Sequence, residues 1–242
     1  MQPRVLIIGF GLMGGSAGLA LRARGWHVAY VDERVPSFEG AEKLDAPREE
    51  ELVVLATHVD GAVALLPQLQ SSGVITSLCS LMKPLRAVAP SNFIAGHPMA
   101  GSHLSGIGHA TASLYENKTW FLDAHDARVE RLVRDCGATP RIVDAGEHDA
   151  AMALTSQLPQ ILSTALAAYL HDQNVLEFAG SGLRDFLRLA GSNVEMWRSI
   201  LSANRATLAP HADAVAAIVR EIVAGDPTDA FTRANELFRT LT

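Results

Sequence analysis

With 242 residues, the chain is long enough for one large domain or two modest ones with real cores. Hydrophobic residues make up 48% and charged residues 19%, which excludes an intrinsically disordered protein. The formal net charge of −6 gives a polyanion such as nucleic acid no electrostatic attraction. The two cysteines, Cys79 and Cys136, form no ligand-spaced or redox pair, which favours reduced core thiols in a cytoplasmic protein.

The N-terminal segment carries a basic residue, Arg4, followed by the uncharged run VLIIGFGLMGGSAGLAL. This order superficially resembles a secretory signal peptide. Its repeated glycines are typical of a turn rather than of an apolar insertion helix, and the run is too short to span a bilayer. We therefore expect the segment to be part of the fold and expect no membrane partner.

Short apolar runs alternate with helical patterns through about the first 145 residues. This alternation predicts repeated βαβ units and a mostly parallel sheet, which is an α/β fold. The predicted strands are RVLIIG, HVAYVD, ELVVLAT, GVITSL, NFIAG, KTWFL and PRIVD, and the helical candidates between them are GLMGGSAGLALRARG, HVDGAVALLPQLQ and DARVERLVRDCG. The polar stretch ERVPSFEGAEKLDAPREE predicts only a short connection.

The pattern becomes wholly helical from Glu147 onward. EHDAAMALTSQLPQILSTALAAYLHD predicts one long helix that Pro159 should kink, and no strand is predicted after it. We therefore predict two domains, over residues 1–146 and 147–242. Helices this rich in alanine and leucine usually bury a face against a partner, so we expect the second domain to form a homodimer.

The segment GFGLMG at 9–14 has the spacing of a dinucleotide-binding turn. It follows a predicted strand and opens a helix, and the acidic Asp32 ends the next strand, which completes the fingerprint of a Rossmann-like, doubly wound sheet. Asp32 would bind the ribose hydroxyls and repel a 2′-phosphate, which favours NAD over NADP, although Arg34 is a residue type that accommodates that phosphate. The predicted cofactor-binding residues are Gly9, Gly11, Leu12, Met13, Gly14 and Asp32, with Ala56 and Thr57 at the end of the third strand.

His97 is the candidate catalytic base. Removal of a hydride from a carbinol carbon requires an acceptor for the hydroxyl proton, and histidine is the usual acceptor near neutral pH. His97 directly follows the predicted strand FIAG, at the carboxyl edge of the sheet where ligands bind. Pro98 stiffens the chain after it, and we expect Gly96 and Gly101 to leave room for a flat ligand. The alternative is a histidine satisfied within a surface loop.

Two further histidines, His103 and His109, follow at intervals of six residues. This spacing is poor for a metal site, and no cysteine or carboxylate completes one. We therefore predict no metal.

Arg184 and Arg188 are four residues apart and share one face of a predicted helix. One interpretation is a solvated or salt-bridged face, since Asp185 and Glu195 are close in sequence. The other is a binding site for a substrate carboxylate, which the planar guanidinium suits. Charge patterning alone favours the first.

Four segments, in order, resemble the prephenate/arogenate dehydrogenase family of tyrosine biosynthesis. They are GFGLMGGS, GHPMAGSHLSG with ASLYENKTWFL after it, HDAAMALTSQLPQ, and GLRDFLRLAGSNVEMW. The resemblance spans nearly the whole chain, and GHPMAGS is its most specific part. It implies an N-terminal nucleotide-binding domain, a helical dimerisation domain, and NAD-dependent oxidative decarboxylation of prephenate to 4-hydroxyphenylpyruvate.

The resemblance also implies roles for single residues. His97 matches the histidine that hydrogen-bonds the ring hydroxyl of the substrate, and Ser80 matches a serine near that hydroxyl and the nicotinamide. Arg188 matches the arginine that binds a substrate carboxylate, with Arg184 a lesser candidate.

The chain departs from the family pattern at the side-chain end of the substrate. Gln157 and Gln160 replace two histidines, and Ser77 replaces an aspartate. Arogenate and 4-amino-4-deoxyprephenate therefore stay open as alternative substrates. A β-hydroxyacid dehydrogenase is disfavoured, because no lysine follows Lys118. A non-catalytic NAD-binding sensor on the same scaffold is the alternative from another functional class.

Overall fold

The computed structural model describes residues 2–48, 50–69, 71–102 and 104–241, so His103 lies outside the described residues. The chain divides into two compact units. The first comprises Met1–Met152 and Gly191–Ala203, and the second comprises Ala153–Ala190 and Asn204–Thr242. The predicted division into a nucleotide-binding domain, 1–146, and a helical dimerisation and substrate-binding domain, 147–242, stays a prediction.

Strands alternate with helices in the first part of the chain, and helices alone follow in the described remainder. The strands are β1 (Arg4–Ile8), β2 (His27–Val31), β3 (Glu42–Lys43), β4 (Leu52–Leu55), β5 (Val74–Ser77), β6 (Phe93–Ile94), β7 (Gly96–Pro98), β8 (Thr119–Leu122) and β9 (Thr139–Ile142). The α-helices are α1 (Leu12–Ala23), α2 (Val59–Leu65), α3 (Lys83–Arg86), α4 (Ala127–Asp135), α5 (Ala145–Met152), α6 (Leu158–Leu170), α7 (Ser181–Leu187), α8 (Val194–Ala203), α9 (Arg205–Ala224) and α10 (Thr228–Leu241).

The main sheet of the described chain has six parallel strands in the order β3-β2-β1-β4-β5-β6. The order reverses between β1 and β4, and ligands bind beyond the carboxyl ends of strands at such a switch point. This confirms the predicted Rossmann-like sheet. One edge strand was missed: Glu42 and Lys43, inside the stretch predicted as a bare connection, pair with Ala29 and Tyr30.

The core lies on both faces of this sheet. In β1, Val5 and Ile7 belong to the cluster on one face, while Leu6 and Ile8 belong to the cluster on the other. Successive side chains of a strand point to opposite faces, so a strand covered on both sides reads as a continuous apolar run. The segment that resembles a signal peptide is thus built into β1 and α1, as expected.

A second sheet, β7-β8-β9, contains His97. The interpretation of FIAG as one strand followed directly by a histidine loop is wrong. β6 ends at Ile94, because the amide of Ala95 donates to the Asp123 carboxylate at 2.8 Å instead of continuing the parallel ladder. The chain then pairs antiparallel with β8, placing His97 opposite Phe121.

Among its described residues, the second unit contains helices and the turns that connect them. It begins with a π-helical turn, Ala153–Gln157, and Pro159 lies in the first turn of the α6 helix that follows. A proline costs little there, since the first amides of a helix have no intrahelical partner. No helix of the described residues is both long and apolar enough to cross a membrane.

Candidate active site

The glycine-rich turn between β1 and α1 has the shape needed to receive a phosphate group. Gly9 has a φ of +92°, in the left-handed region that favours glycine. A Cβ atom on Gly14 would lie 2.0 Å from the Gly9 carbonyl oxygen, so only glycine lets α1 begin this close to the turn. A Cβ atom on Gly11 would meet no atom within 4 Å. The turn is therefore tight on one side and open on the other, at a helix N-terminus that favours anions.

The end of β4 lies directly against this turn. A Cβ atom on Gly9 would be 2.8 Å from the carbonyl oxygen of Ala56 and 3.2 Å from Cγ2 of Thr57. Leu12 and Met13 open α1 at the same edge of the sheet. The structure thus brings these predicted cofactor-binding residues together at the carboxyl ends of β1 and β4.

Asp32 organises the turn through its carboxylate. Its Oδ2 accepts from the amide of Phe10 at 2.7 Å. Its Oδ1 accepts from the amides of Arg34 at 2.7 Å and Val35 at 3.0 Å. A carboxylate has about four lone-pair sites, so a half-buried Asp32 retains capacity for a further donor. Its contact with ribose stays a prediction.

The segment after His97 folds back over the start of α1. The amide of Thr111 donates to Ser16 Oγ at 3.0 Å, and the Tyr115 hydroxyl donates to the carbonyl of Met13 at 2.7 Å. A Cβ atom on Gly15 would lie 2.3 Å from the Ile107 side chain. The segment from Ile107 to Tyr115, which follows the His97 strand in the chain, therefore packs directly on the first turns of α1.

His97 is half-buried, and its Nδ1 lies 2.9 Å from Nε2 of His148. Burial, and to a smaller extent the neighbouring His148, lower the pKa of His97 to about 3. The imidazole is therefore neutral near pH 7, in the form that accepts a proton. Its Nε2 has no hydrogen-bond partner among the described residues and is not sealed from solvent.

A chain of hydrogen bonds continues from His97 into the interior. Nδ1 of His148 lies 2.8 Å from Oδ1 of Asp149, and each of these two residues is only 2% exposed. The Asp149 carboxylate also accepts from the amides of Met82 and Lys83, both at 2.9 Å. Two buried side chains of α5 thus connect His97 of β7 to the start of α3.

Ser77 and Gly96 hold β7 against the end of β5. The Ser77 hydroxyl accepts from the Gly96 amide and donates to the Gly96 carbonyl, both at 3.1 Å. A Cβ atom on Gly96 would lie 2.6 Å from the Ser77 carbonyl oxygen. The expectation that Gly96 leaves room for a ligand is therefore wrong, because protein atoms fill that space. A Cβ atom on Gly101 would meet nothing within 4 Å.

Ser80 lies half-buried in the turn between β5 and α3. It is two residues before Met82, whose amide Asp149 binds. The Asp149 carboxylate thus fixes the far end of the Ser80 turn.

The remaining predicted site residues lie in the second unit. Gln157 is 1% exposed, and its Oε1 accepts from Asn204 Nδ2 at 3.0 Å. Gln160 is buried and donates to Thr164 Oγ1 at 3.1 Å and to the Leu189 carbonyl at 2.9 Å. Both amides are therefore hydrogen-bonded within their own unit.

Arg184 and Arg188 are both exposed, at the end of α7 and in the 3₁₀ turn that follows. Neither forms a salt bridge with another described residue of the helical unit. Arg184 lines a cavity of about 320 Å³ together with Leu176, Ala179, Leu183 and Leu187. Both guanidinium groups are thus available for an anionic ligand. Across the described residues, no group of three or more His, Cys, Asp and Glu side chains could hold a metal ion.

Two family models match successive parts of the chain. The model described as the nucleotide-binding domain of prephenate dehydrogenase matches residues 20–138, and the one described as its dimerization domain matches residues 144–235. The chain belongs to the prephenate dehydrogenase family. Together the two matches cover most of its length, in the order that the fold shows.

Curated relatives of this chain are named as prephenate dehydrogenases. The prephenate dehydrogenase of Bacillus subtilis (strain 168) is 29% identical over 246 residues, which cover 85% of this chain and 65% of that protein. A probable prephenate dehydrogenase, NovF, of Streptomyces niveus is 32% identical, over 83% of this chain and 62% of that protein. The chain thus spans slightly less than two thirds of the length of these family members.

The fold is also that of solved family structures. Prephenate dehydrogenase from Aquifex aeolicus, in complex with hydroxyphenyl propionate and NAD⁺, superposes with a TM-score of 0.84. The match covers 99% of this chain and 98% of that one at 24% sequence identity. At this identity the likeness establishes the fold alone.

Sequence reasoning missed His148 and Asp149. The signal was an adjacent histidine and aspartate in the apolar pattern EHDAAMAL, where two titratable groups on the buried side of a helix need partners. The pattern does not say which residues those partners are, because His97 and Met82 lie 51 and 67 residues away in sequence.

Proposed function

We propose that this chain is an NAD-dependent dehydrogenase that oxidatively decarboxylates prephenate to 4-hydroxyphenylpyruvate, in the biosynthesis of tyrosine. The observation that carries the proposal is the neutral imidazole of His97, with an accessible Nε2, in a chain whose next segment packs on the helix that follows a dinucleotide-type turn. Membership of the prephenate dehydrogenase family and the names of the curated relatives support it.

The glycine-rich turn fits NAD. The open space in front of Gly11 suits a pyrophosphate, and the tight contact at Gly14 keeps the N-terminus of α1 close to it. Asp32 disfavours the 2′-phosphate of NADP by charge repulsion. A bound NAD would supply the hydride acceptor that oxidation of the carbinol carbon requires. The presence of NAD⁺ in the Aquifex aeolicus structure supports the same choice.

His97 and Ser80 act on the hydroxyl proton of the substrate. Nε2 of His97 accepts the hydroxyl proton of the substrate as the carbon–oxygen bond gains double-bond character. The bond to the ring carboxylate breaks, carbon dioxide leaves, and its electron pair makes the ring aromatic. The proton on Nε2 returns to the phenol oxygen, so His97 is regenerated. Ser80 supplies a second hydrogen bond at the same hydroxyl.

Arg188 holds a substrate carboxylate, with Arg184 as the lesser candidate. A charge-assisted hydrogen bond contributes roughly 1.5–3 kcal/mol, which is about ten- to a hundred-fold in affinity. Arg188→Ala should raise KM for prephenate by about that factor and leave NAD affinity unchanged. Arg184→Ala is the matched control. A rise in KM in Arg184→Ala alone would mean that Arg184, and not Arg188, binds the substrate carboxylate.

Gln157 and Gln160 set the substrate preference through the side-chain end of the ligand. Both are neutral amides, so they carry no charge that would indicate which substrate is preferred. The test is to assay the purified protein with prephenate, arogenate and 4-amino-4-deoxyprephenate, each with NAD and with NADP. Turnover of prephenate with NAD is expected to be the fastest. Faster turnover of either alternative would identify that compound, and not prephenate, as the substrate. Binding of NAD without turnover of any of the three would favour a non-catalytic NAD-binding sensor.

We further propose a cytoplasmic homodimer formed by the helical unit. Large apolar side chains stand exposed there, among them Tyr169, Phe178, Phe231 and Phe238 at 60–79% exposure. The matching model is described as a dimerization domain. Burial raises the pKa of the Cys79 and Cys136 thiols, which keeps both protonated and suits a reducing compartment. Light scattering at micromolar concentration should give a dimer, and a monomer would contradict the proposal.

A further inference from the structure

The hydrogen bonds between Asp149, His148 and His97 fix where each proton lies. Backbone amides only donate, so both oxygens of Asp149 accept, from Met82 and from Lys83. The carboxylate form satisfies these contacts and also accepts a hydrogen bond from Nδ1 of His148 at 2.8 Å. His148 therefore carries its hydrogen on Nδ1.

The consequence passes to His97. A neutral imidazole has one donor and one acceptor nitrogen, so Nε2 of His148 is an acceptor. Nδ1 of His97, 2.9 Å away, must then be the donor. This leaves Nε2 of His97 with its lone pair free, on the side of the ring that has no protein partner among the described residues. In the opposite tautomer, Nε2 would carry a hydrogen and could not accept the substrate proton.

We propose that His148 and Asp149 are positioning residues that select the proton-accepting tautomer of His97. The proposal rests on the proposed function, in which Nε2 of His97 accepts the hydroxyl proton. When that proton arrives, the charge of the Asp149 carboxylate, relayed through His148, stabilises the imidazolium that forms. Because Asp149 also binds the amides that follow Ser80, the same carboxylate holds the Ser80 turn in register with the His97 ring.

Two substitutions at His148 separate tautomer selection from packing. Glutamine places its amide oxygen where Nε2 stood, so His148→Gln can still accept the hydrogen of His97 Nδ1. Asparagine is shorter and places its amide near Nδ1, so His148→Asn loses that acceptor. If the residue only filled space, the shorter and longer amides would show no such order in kcat.

The experiment measures tautomers and kinetics on the full chain. Ring-nitrogen NMR of histidine-labelled protein, with His97 assigned through His97→Asn, is expected to find the His97 hydrogen on Nδ1 in the wild type. Asp149→Asn should shift it toward Nε2 and lower kcat by roughly 10²–10⁴, the range for a base that is lost or held in the wrong tautomer. KM and NAD affinity should change little. His148→Gln should retain more activity than His148→Asn.

Asp144→Ala is the matched control, because Asp144 caps α5 through the amides of Gly146 and Glu147 and makes no contact with His97. It should cost about 1 kcal/mol of stability and leave the His97 tautomer and kcat unchanged. A hydrogen on Nε2 of His97 in the wild type would overturn the proposal. So would wild-type kcat in both Asp149→Asn and His148→Asn. If the wild type does not oxidise prephenate, the proposed function fails, while the NMR result still decides the tautomer.

Discussion

Gly96→Ala tests the packing that positions His97. The new Cβ atom would lie 2.6 Å from the Ser77 carbonyl oxygen, 3.0 Å from Trp120 Nε1 and 3.1 Å from Thr76 Oγ1. The nearest of these is a backbone atom of β5, so β7 has to move. Overpacking of this kind costs about 1–3 kcal/mol. For a chain of this size, each kcal/mol lowers Tm by roughly 2–4 °C, so calorimetry should show a fall of about 2–12 °C.

The same displacement reaches the next residue, His97. A misplacement of about 1 Å at a catalytic group can cost about 10²-fold in rate, so kcat should fall together with Tm. Gly101→Ala is the control for stability, since its Cβ atom would meet nothing within 4 Å. Equal Tm values for Gly96→Ala and Gly101→Ala, with kcat retained in the first, would refute the packing argument.

Three further predictions concern the cofactor turn and the protonation of the base. Gly11→Ala should leave Tm unchanged and weaken NAD binding, because its Cβ atom meets no protein atom but enters the space for the pyrophosphate. An unchanged affinity for NAD in calorimetric titration would mean that the pyrophosphate binds elsewhere. Asp32→Ala should weaken NAD binding and raise relative use of NADP, with exposed Glu33→Ala as the control, and an unchanged NAD/NADP ratio would remove Asp32 from the site. The pKa of His97 is about 3 in the folded protein against an ordinary 6.5, so the unfolded chain takes up the proton first and stability falls as pH drops from about 6.5 toward 3. Urea unfolding should show a shallower fall for His97→Asn, and identical slopes would contradict this protonation state.

The nucleotide turn could be predicted from the sequence because its signals are local. Gly9, Gly11 and Gly14 lie within six residues of one another, and each glycine reports a requirement of the backbone at its own position. Asp32 follows from the same pattern, since it ends the next strand. In each of these cases the residue lies close in sequence to the structural feature that requires it.

The environment of His97 could not be predicted in the same way. The diversion of β7 into a second sheet depends on Asp123, which accepts from Ala95 across 28 residues. His148 and Asp149 depend on contacts across more than 50 residues. Periodicity marks such positions as buried but carries no information about their partners. A strand that changes sheets and a buried polar chain are both decided by tertiary contacts.

In the proposed reaction, His97 accepts the substrate proton in an NAD-dependent oxidation. Formation of reduced cofactor from prephenate and NAD is measured in the wild type, in His97→Asn and in His125→Asn, whose exposed side chain contacts Glu130. We expect His97→Asn to lower kcat by about 10²–10⁴ with NAD affinity intact, and His125→Asn to match the wild type. A His97→Asn enzyme that turns over prephenate at the wild-type rate would contradict it.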